Sequence, residues 1–264
     1  MKIGFMQFDV KHNSKENINV IDSLINNNTA DLWVLPELCT SGYLFKDKNE
    51  LKQFAQEINN SSIVNDMKKI SKKHNCAIIF GMPELENNKI YNTAVIVDNN
   101  KYIGKYRKIH LSDLEKKLFS RGKENKVFDV RGIKIGVQIC FDLWFPEISR
   151  EQILQGANLL CALSNFGGNT SFDIARIRAI ENLTPLVLCN RVGNENLSNI
   201  DAYFLGKSTI FDKSGTKLTD AIKNEVIVSI SEIETSNLKS NIICSNFEKE
   251  INFHHLLNKK DVIR

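Results

Sequence analysis

Apolar residues recur at every second position through the opening segment MKIGFMQFDV, whereas ADLWVLPE (residues 30–37) is apolar almost throughout. The first pattern predicts a strand with two different faces. The second predicts a short strand covered on both sides, ending in an acid at Glu37. Between them Ile18, Ile21, Leu24 and Ile25 stand at helical spacing behind Asn13, a cap residue with Glu16 three positions on. An amphipathic helix is therefore expected to join the two strands. A second helix is predicted over SSIVNDMKKISKKHN (61–75), followed by the strand CAIIFG (76–81).

Two hairpins are predicted next: KIYNTAVIVDNNKYIGKYRK (89–108) turning at Asp98, Asn99 and Asn100, and KVFDVRGIKIGVQIC (126–140) turning at Arg131 and Gly132. PEISREQILQGA (146–157) carries proline in its first turn and glycine past its end, the marks of a helix. NLLCAL (158–163) predicts a buried strand, SFDIARIRAIENLT (171–184) a helix and PLVLCN (185–190) another strand. AYFLGKSTIFDKSGTKLTD (202–220) predicts a hairpin and EVIVSI (225–230) a final strand. This is an α/β plan with mixed sheets and helices on the outer faces. No linker is long enough to divide the 264 residues, so a single domain over 1–264 is expected. Its polar, irregular tail, 236–264, is expected to wrap the body or contact a partner subunit.

Composition narrows the class. At 42% hydrophobic and 25% charged, the chain has the make-up of a soluble globular protein. The net charge of +4 is spread along the chain without a dense basic block, which argues against a nucleic-acid or membrane-surface partner. KYIGKYRK (101–108), the most basic stretch, reads as a half-exposed strand. No apolar run approaches the roughly 20 residues that span a bilayer, and the alternating N-terminus does not read as a signal peptide. The six cysteines form no CxxC pair and the five histidines lack metal-ligand spacing. Reduced thiols, no metal, no cofactor and a cytoplasmic location are expected.

Glu37, Lys108 and Cys140 each stand at or just beyond the end of a predicted strand. In α/β sheets the crevice outside the carboxyl ends of strands is where ligands bind, so the three can converge despite their separation in sequence. Taken singly, each has a plain structural reading: a solvated acid, a solvent-facing lysine, and a cysteine acting as a small buried hydrophobe.

The segments LPELCTSGY (35–43), YRKIHL (106–111) and GVQICFDLWFPE (136–147), in that order, resemble the three signature segments of the nitrilase superfamily. These are carbon-nitrogen hydrolases acting on amides, nitriles and carbamoyl groups. RAIEN (178–182), NRVGNE (190–195) and GKSTIFDKSG (206–215) resemble later segments of the same enzymes, so the likeness spans nearly the whole chain. The resemblance implies a four-layer α-β-β-α sandwich with two mixed sheets, a small-molecule amide substrate, and homodimers or larger homo-oligomers joined through helices. It makes Cys140 the nucleophile, Glu37 the general base and Lys108 the cation beside the tetrahedral intermediate. A second family glutamate maps to Glu115 in LEKKLFSRG. Tyr43, Phe141, Trp144, Asn165 and Phe166 are the expected substrate-binding residues, Phe141 also through its backbone N–H.

The chemistry has its own logic. A free thiol titrates near pH 8.5 and attacks as the thiolate, so an amide hydrolase needs a base for it or a cation that lowers its pKa. Glu37 and Lys108 supply one each. A strand ending at Cys140 is expected to expose the sulfur at the sheet edge, while Pro146 lets a helix begin within a turn. Asp142 is expected to hydrogen-bond the elbow backbone, and His110 to be an orienting or core residue.

Position 144 bears on substrate. Family members acting on carbamoyl amino acids or dicarboxylate monoamides often place arginine there to grip a carboxylate. Trp144 disfavours such an acyl group and resembles carbamoylputrescine-type amidases. Nitrilases proper often carry tryptophan and glutamate directly after the nucleophile, whereas here Phe141 and Asp142 follow it. The expected activity is cysteine-dependent hydrolysis of a small amide or N-carbamoyl compound through a thioester. A nitrile hydrolase and a non-catalytic binding protein on the same fold are the alternatives.

Overall fold

Ile3 and Phe5 point to one side of the first strand and Met6 to the other, and all three are fully buried. The alternation predicted from the sequence is thus met by apolar layers on both faces. The computed structural model describes residues 1–221, 224–235, 244–247 and 249–253. The first half of the chain runs β1 (Lys2–Gln7), α1 (Ser14–Asn26), β2 (Leu32–Val34), α2 (Lys48–Phe54), α3 (Ser62–Lys73), β3 (Ala77–Glu86), β4 (Lys89–Asp98) and β5 (Lys101–Arg107). The second half runs β6 (Val127–Val130), β7 (Ile133–Ile139), α4 (Pro146–Leu154), β8 (Leu159–Leu163), α5 (Thr170–Asn182) and β9 (Leu186–Cys189). It continues through β10 (Val192–Leu197), β11 (Ile200–Leu205), β12 (Thr209–Phe211), β13 (Lys217–Asp220) and β14 (Ile227–Glu232).

Two six-stranded sheets result, ordered β14-β1-β2-β3-β4-β5 and β13-β12-β9-β8-β7-β6, with β10 and β11 as a separate ribbon. Each sheet has three adjacent parallel strands, β1-β2-β3 and β7-β8-β9, flanked by antiparallel ones. Ile3, Phe5, Leu32, Val34, Ile79 and Ile96 of the first sheet share one core with Ile135, Val137, Ile139, Leu160 and Val187 of the second. On the other face of the first sheet, Met6, Trp33, Ile78 and Phe80 meet Ile21 and Ile25 of α1 and Ile63, Val64 and Met67 of α3. Ala175 and Ala179 of α5 and Ile153 of α4 pack on the second sheet. The layers are therefore α-β-β-α, and each fully buried Ile, Leu or Phe contributes about 1.5–3 kcal/mol relative to exposure.

Local signals act as the sequence indicates. The Asn13 side chain accepts the Glu16 N–H and starts α1, Asn99 and Asn100 turn at φ of 44° and 67°, and Pro146 opens α4. Two expectations change. The strand predicted to stop at Gly81 runs on to Glu86 and turns at Asn87 and Asn88, both at positive φ, into β4. AYFLGKSTIFDKSGTKLTD is not one hairpin: β11 pairs back with β10, the chain turns at Gly206, and only β12 and β13 form the hairpin. The polar run of β10 hid that partner. Most of the tail, 236–264, lies outside the described residues.

Candidate active site

β2 and β3 run parallel, and two antiparallel pairings give β5 the same sense as β3, so their carboxyl ends share one side of the first sheet. Glu37 follows β2 and Lys108 follows β5. The Lys108 Nζ donates to Glu37 Oε1 at 2.7 Å and to Glu115 Oε1 at 2.6 Å, and all three side chains are buried. Asn92 of β4 lies between the acids, its Nδ2 donating to Glu37 Oε1 at 2.7 Å and to Glu115 Oε1 at 3.3 Å. The Ser112 N–H donates to Glu115 Oε2 at 2.9 Å. Glu37 Oε2 is buried and has no hydrogen-bond partner among the described residues. An orphaned buried acceptor costs about 1–3 kcal/mol, so its retention needs a reason.

Gly81 sets how closely Glu37 approaches the sheet. A Cβ there would stand 2.3 Å from the Leu38 backbone nitrogen and 2.9 Å from Glu37 Cα. Leu38 itself takes φ of 47°, which turns the chain sharply behind the acid.

Cys140 follows β7 and opens a 3-10 turn, Cys140–Trp144, at φ of 48°. Its side chain is not presented to solvent at a sheet edge as the sequence suggested. The residue is 9% exposed, because Phe166 and the inter-sheet core pack around it. Asp142 fixes the turn: its Oδ2 accepts the Ile139 N–H at 3.2 Å and the Tyr106 hydroxyl at 2.8 Å. Its Oδ1 accepts the His110 N–H at 2.8 Å and meets His110 Nδ1 at 3.1 Å. The His110 ring stacks on Phe145 at 3.6 Å between centroids.

Electrostatics divides the carboxylates. Burial pushes the Glu37 carboxyl above its ordinary value, and Lys108 only partly opposes this. Burial acts the same way on Glu115, but Lys108 and the Ser112 N–H outweigh it and hold Glu115 low. Burial alone would lower Lys108, yet the two acids beside it push its ammonium well above the usual range. The Cys140 thiol is pushed well up by burial and by Glu37, an effect that Lys108 and the Asn165 N–H do not overcome. Lys108 still pulls the thiol down, as expected of a nearby cation, but burial and the Glu37 carboxylate outweigh it.

The family model described as carbon-nitrogen hydrolase matches residues 2–241. The chain belongs to the carbon-nitrogen hydrolases. It is 37% identical over 226 residues to a probable nitrilase of Schizosaccharomyces pombe, covering 82% of this chain and 80% of that one. It is 36% identical over 238 residues to a 2-oxoglutaramate amidase of Bacillus subtilis, covering 86% and 88%. Among solved structures, a Saccharomyces cerevisiae member of branch 10 of the nitrilase superfamily matches at a TM-score of 0.77 and 26% identity, covering 88% and 89%.

In this carbon-nitrogen hydrolase the expected substrate-binding residues fall into two groups. Tyr43 ends the loop that begins at Glu37, and burial and Glu115 push its phenol well up, with Lys108, Glu37 and Cys140 also acting on it; Asn165 follows β8, and its backbone N–H draws the Cys140 thiol down. Both polar atoms of the Asn165 side chain are buried without a partner among the described residues. Phe166 is buried in the same core cluster as Cys140. Phe141 and Trp144 lie on the turn that begins at Cys140, Phe141 edge-on to Phe145 at 5.2 Å. Trp144 is 44% exposed, its indole donating to Ser171 at 3.1 Å. Sequence reasoning did not single out Asn92, whose only signal was a polar residue inside the apolar run of β4.

Proposed function

We propose that this carbon-nitrogen hydrolase cleaves a small amide or N-carbamoyl compound, releasing ammonia through a thioester on Cys140. The observation that carries the reading is the buried Glu37 Oε2, without a hydrogen-bond partner among the described residues, in a site where burial pushes the Cys140 thiol well up. A protonated thiol needs a base, and Glu37, with its raised pKa, is suited to taking the proton as sulfur attacks the carbonyl carbon. An ammonium has three N–H donors. Two of those on Lys108 go to Glu37 and Glu115, leaving the third for the oxygen of the tetrahedral intermediate, beside the Phe141 N–H.

Collapse of that intermediate breaks the C–N bond, and Glu37 returns the proton to the leaving ammonia. Glu37 then deprotonates a water that attacks the thioester, and the thiol regains the proton as the acid, or the carbamic acid that decomposes to an amine and carbon dioxide, departs. Glu115 holds Lys108 charged and in place.

The test is ammonia release from primary amides, ureido compounds and nitriles, each with and without a carboxylate, joined to intact-mass detection of an acyl adduct. Loss of both signals in Cys140→Ala is expected. Undiminished turnover in that variant sinks the assignment, and turnover of nitriles alone moves the enzyme to the alternative reading. The carboxylate arm tests Trp144, since the Bacillus subtilis relative is named for an amide that bears one.

We also propose a homo-oligomer, supported by Ile177 and Ile180, 49% and 37% exposed on α5; molar mass by light scattering tests it. A cytoplasmic location is supported by the five buried free thiols of Cys39, Cys76, Cys140, Cys161 and Cys189, and fractionation of the source cells tests that.

A further inference from the structure

Glu195, in the NRVGNE segment, lies on β10, outside both large sheets, yet it is 8% exposed and fully partnered. Its Oε2 accepts the backbone N–H of Tyr43 at 2.9 Å and of Leu44 at 2.7 Å. Its Oε1 accepts the Tyr43 N–H at 3.1 Å and pairs with Arg191, and His12 Nε2 meets Oε2 at 3.2 Å. We propose that Glu195 is a positioning residue that fixes Tyr43 at the far end of the loop that begins at Glu37, so that the Tyr43 hydroxyl meets the amide substrate and sets how tightly it fits. This rests on the amidase reading given above.

Four features make the grip specific. The chain between Glu37 and Tyr43 is short and bent, with the Ser41 and Gly42 N–H groups both donating to Leu38 O. Gly42 takes φ of +87°, and a Cβ there would stand 2.7 Å from the His12 ring and 3.2 Å from Glu195 Oε1. Only glycine therefore lets the carboxylate reach the next two amides. Arg191, fully buried, lies over the Phe204 ring at 4.2 Å, and Phe204 meets the Tyr43 ring edge-on at 6.1 Å. The same charged pair thus holds Tyr43 by its backbone and, through Phe204, by its ring. Finally, Tyr43 and Glu37 stand on one loop, so a grip on Tyr43 from β10 anchors the far end of the segment that starts at the base.

The test is a double-mutant cycle in the full chain using Glu195→Gln, Tyr43→Phe and their combination. It is read by kcat and KM on the primary amide that the unaltered protein hydrolyses fastest. Saturable alkylation of Cys140 by iodoacetamide, itself a small amide, is followed in parallel by intact mass. Glu195→Gln is expected to raise KM, and the half-saturating iodoacetamide concentration, about tenfold, with kcat within about threefold. In the Tyr43→Phe background the same change is expected to alter KM less than about twofold.

Glu195→Asp keeps the charge and withdraws it from the two amides, and is expected to repeat the pattern should the glutamine variant fold poorly. Equal factors in both backgrounds, or a lowered melting temperature with unchanged KM and alkylation, overturn the proposal. If the protein is alkylated saturably but hydrolyses no amide, the amidase reading fails alone, and the alkylation cycle still decides the role of Glu195.

Discussion

The Asp142 carboxylate accepts the backbone N–H of His110 at 2.8 Å, joining the turn that carries Cys140 to the segment two residues beyond Lys108. Cys140 and Lys108 follow strands of different sheets, and this bond ties the two segments together. Asp142→Asn places an N–H donor against either the Ile139 N–H or the His110 N–H, one of which must lose its acceptor. A stability loss of about 1–3 kcal/mol is expected, with kcat falling at least about tenfold as the pair separates. Denaturant melts and steady-state rates measure both; a variant with native stability and kcat would show that the bond sets nothing.

As the base proposed above, Glu37 is expected to govern the acid side of the pH profile. Its carboxyl titrates above the ordinary 4.5 because of burial, so the base is lost by protonation as pH falls through that raised value. The acid limb of kcat/KM is expected above pH 4.5 and Glu37→Gln is expected to lower kcat by about 10²–10⁴-fold. A limb at the ordinary carboxylate position argues for another base.

Gly81→Ala tests the approach of β3 to the acid. The new Cβ meets backbone atoms of Leu38 and Glu37, which have no side-chain freedom with which to yield. Overpacking of this kind costs about 1–3 kcal/mol, and here the strain falls on the Glu37 segment. Lower melting temperature and lower kcat are expected together, and a silent substitution would contradict the packing described.

Acid stability reports on Glu195. Burial would raise this carboxyl, but His12, Arg191 and the Leu44 N–H bring it down to about 2 from 4.5. A lowered folded-state pKa stabilises above the unfolded value and loses that contribution as pH falls toward the folded one. Roughly 3 kcal/mol should therefore be present above pH 4.5 and vanish by about pH 2. Urea melts across that range should fall more steeply for the unaltered protein than for Glu195→Gln, and parallel curves would discount the cluster.

Short-range patterns carried much of this fold in the sequence. Asn13, the Asn99–Asn100 turn and Pro146 each act within a few residues, and each does locally what its chemistry dictates. The meeting of Glu37 and Lys108 followed from strand ends and motif order. What escaped notice depended on partners far along the chain. Asn92 stands between two buried acids only once β4 is packed, and the polar residues of β10 give no alternation from which a strand could be read. The direction of the Cys140 shift depended first on how deeply the thiol is buried, which only packing supplies.

Last in the chain order, β14 pairs along the whole length of β1, and the Met1 ammonium reaches Ile233 O across 232 positions. During synthesis the first strand therefore waits, one flank unzipped, while almost everything else is made. An unpaired flank invites a neighbouring nascent chain to take the vacant berth. Yield in the cell should thus depend on how quickly that late segment arrives as well as on the finished protein's stability.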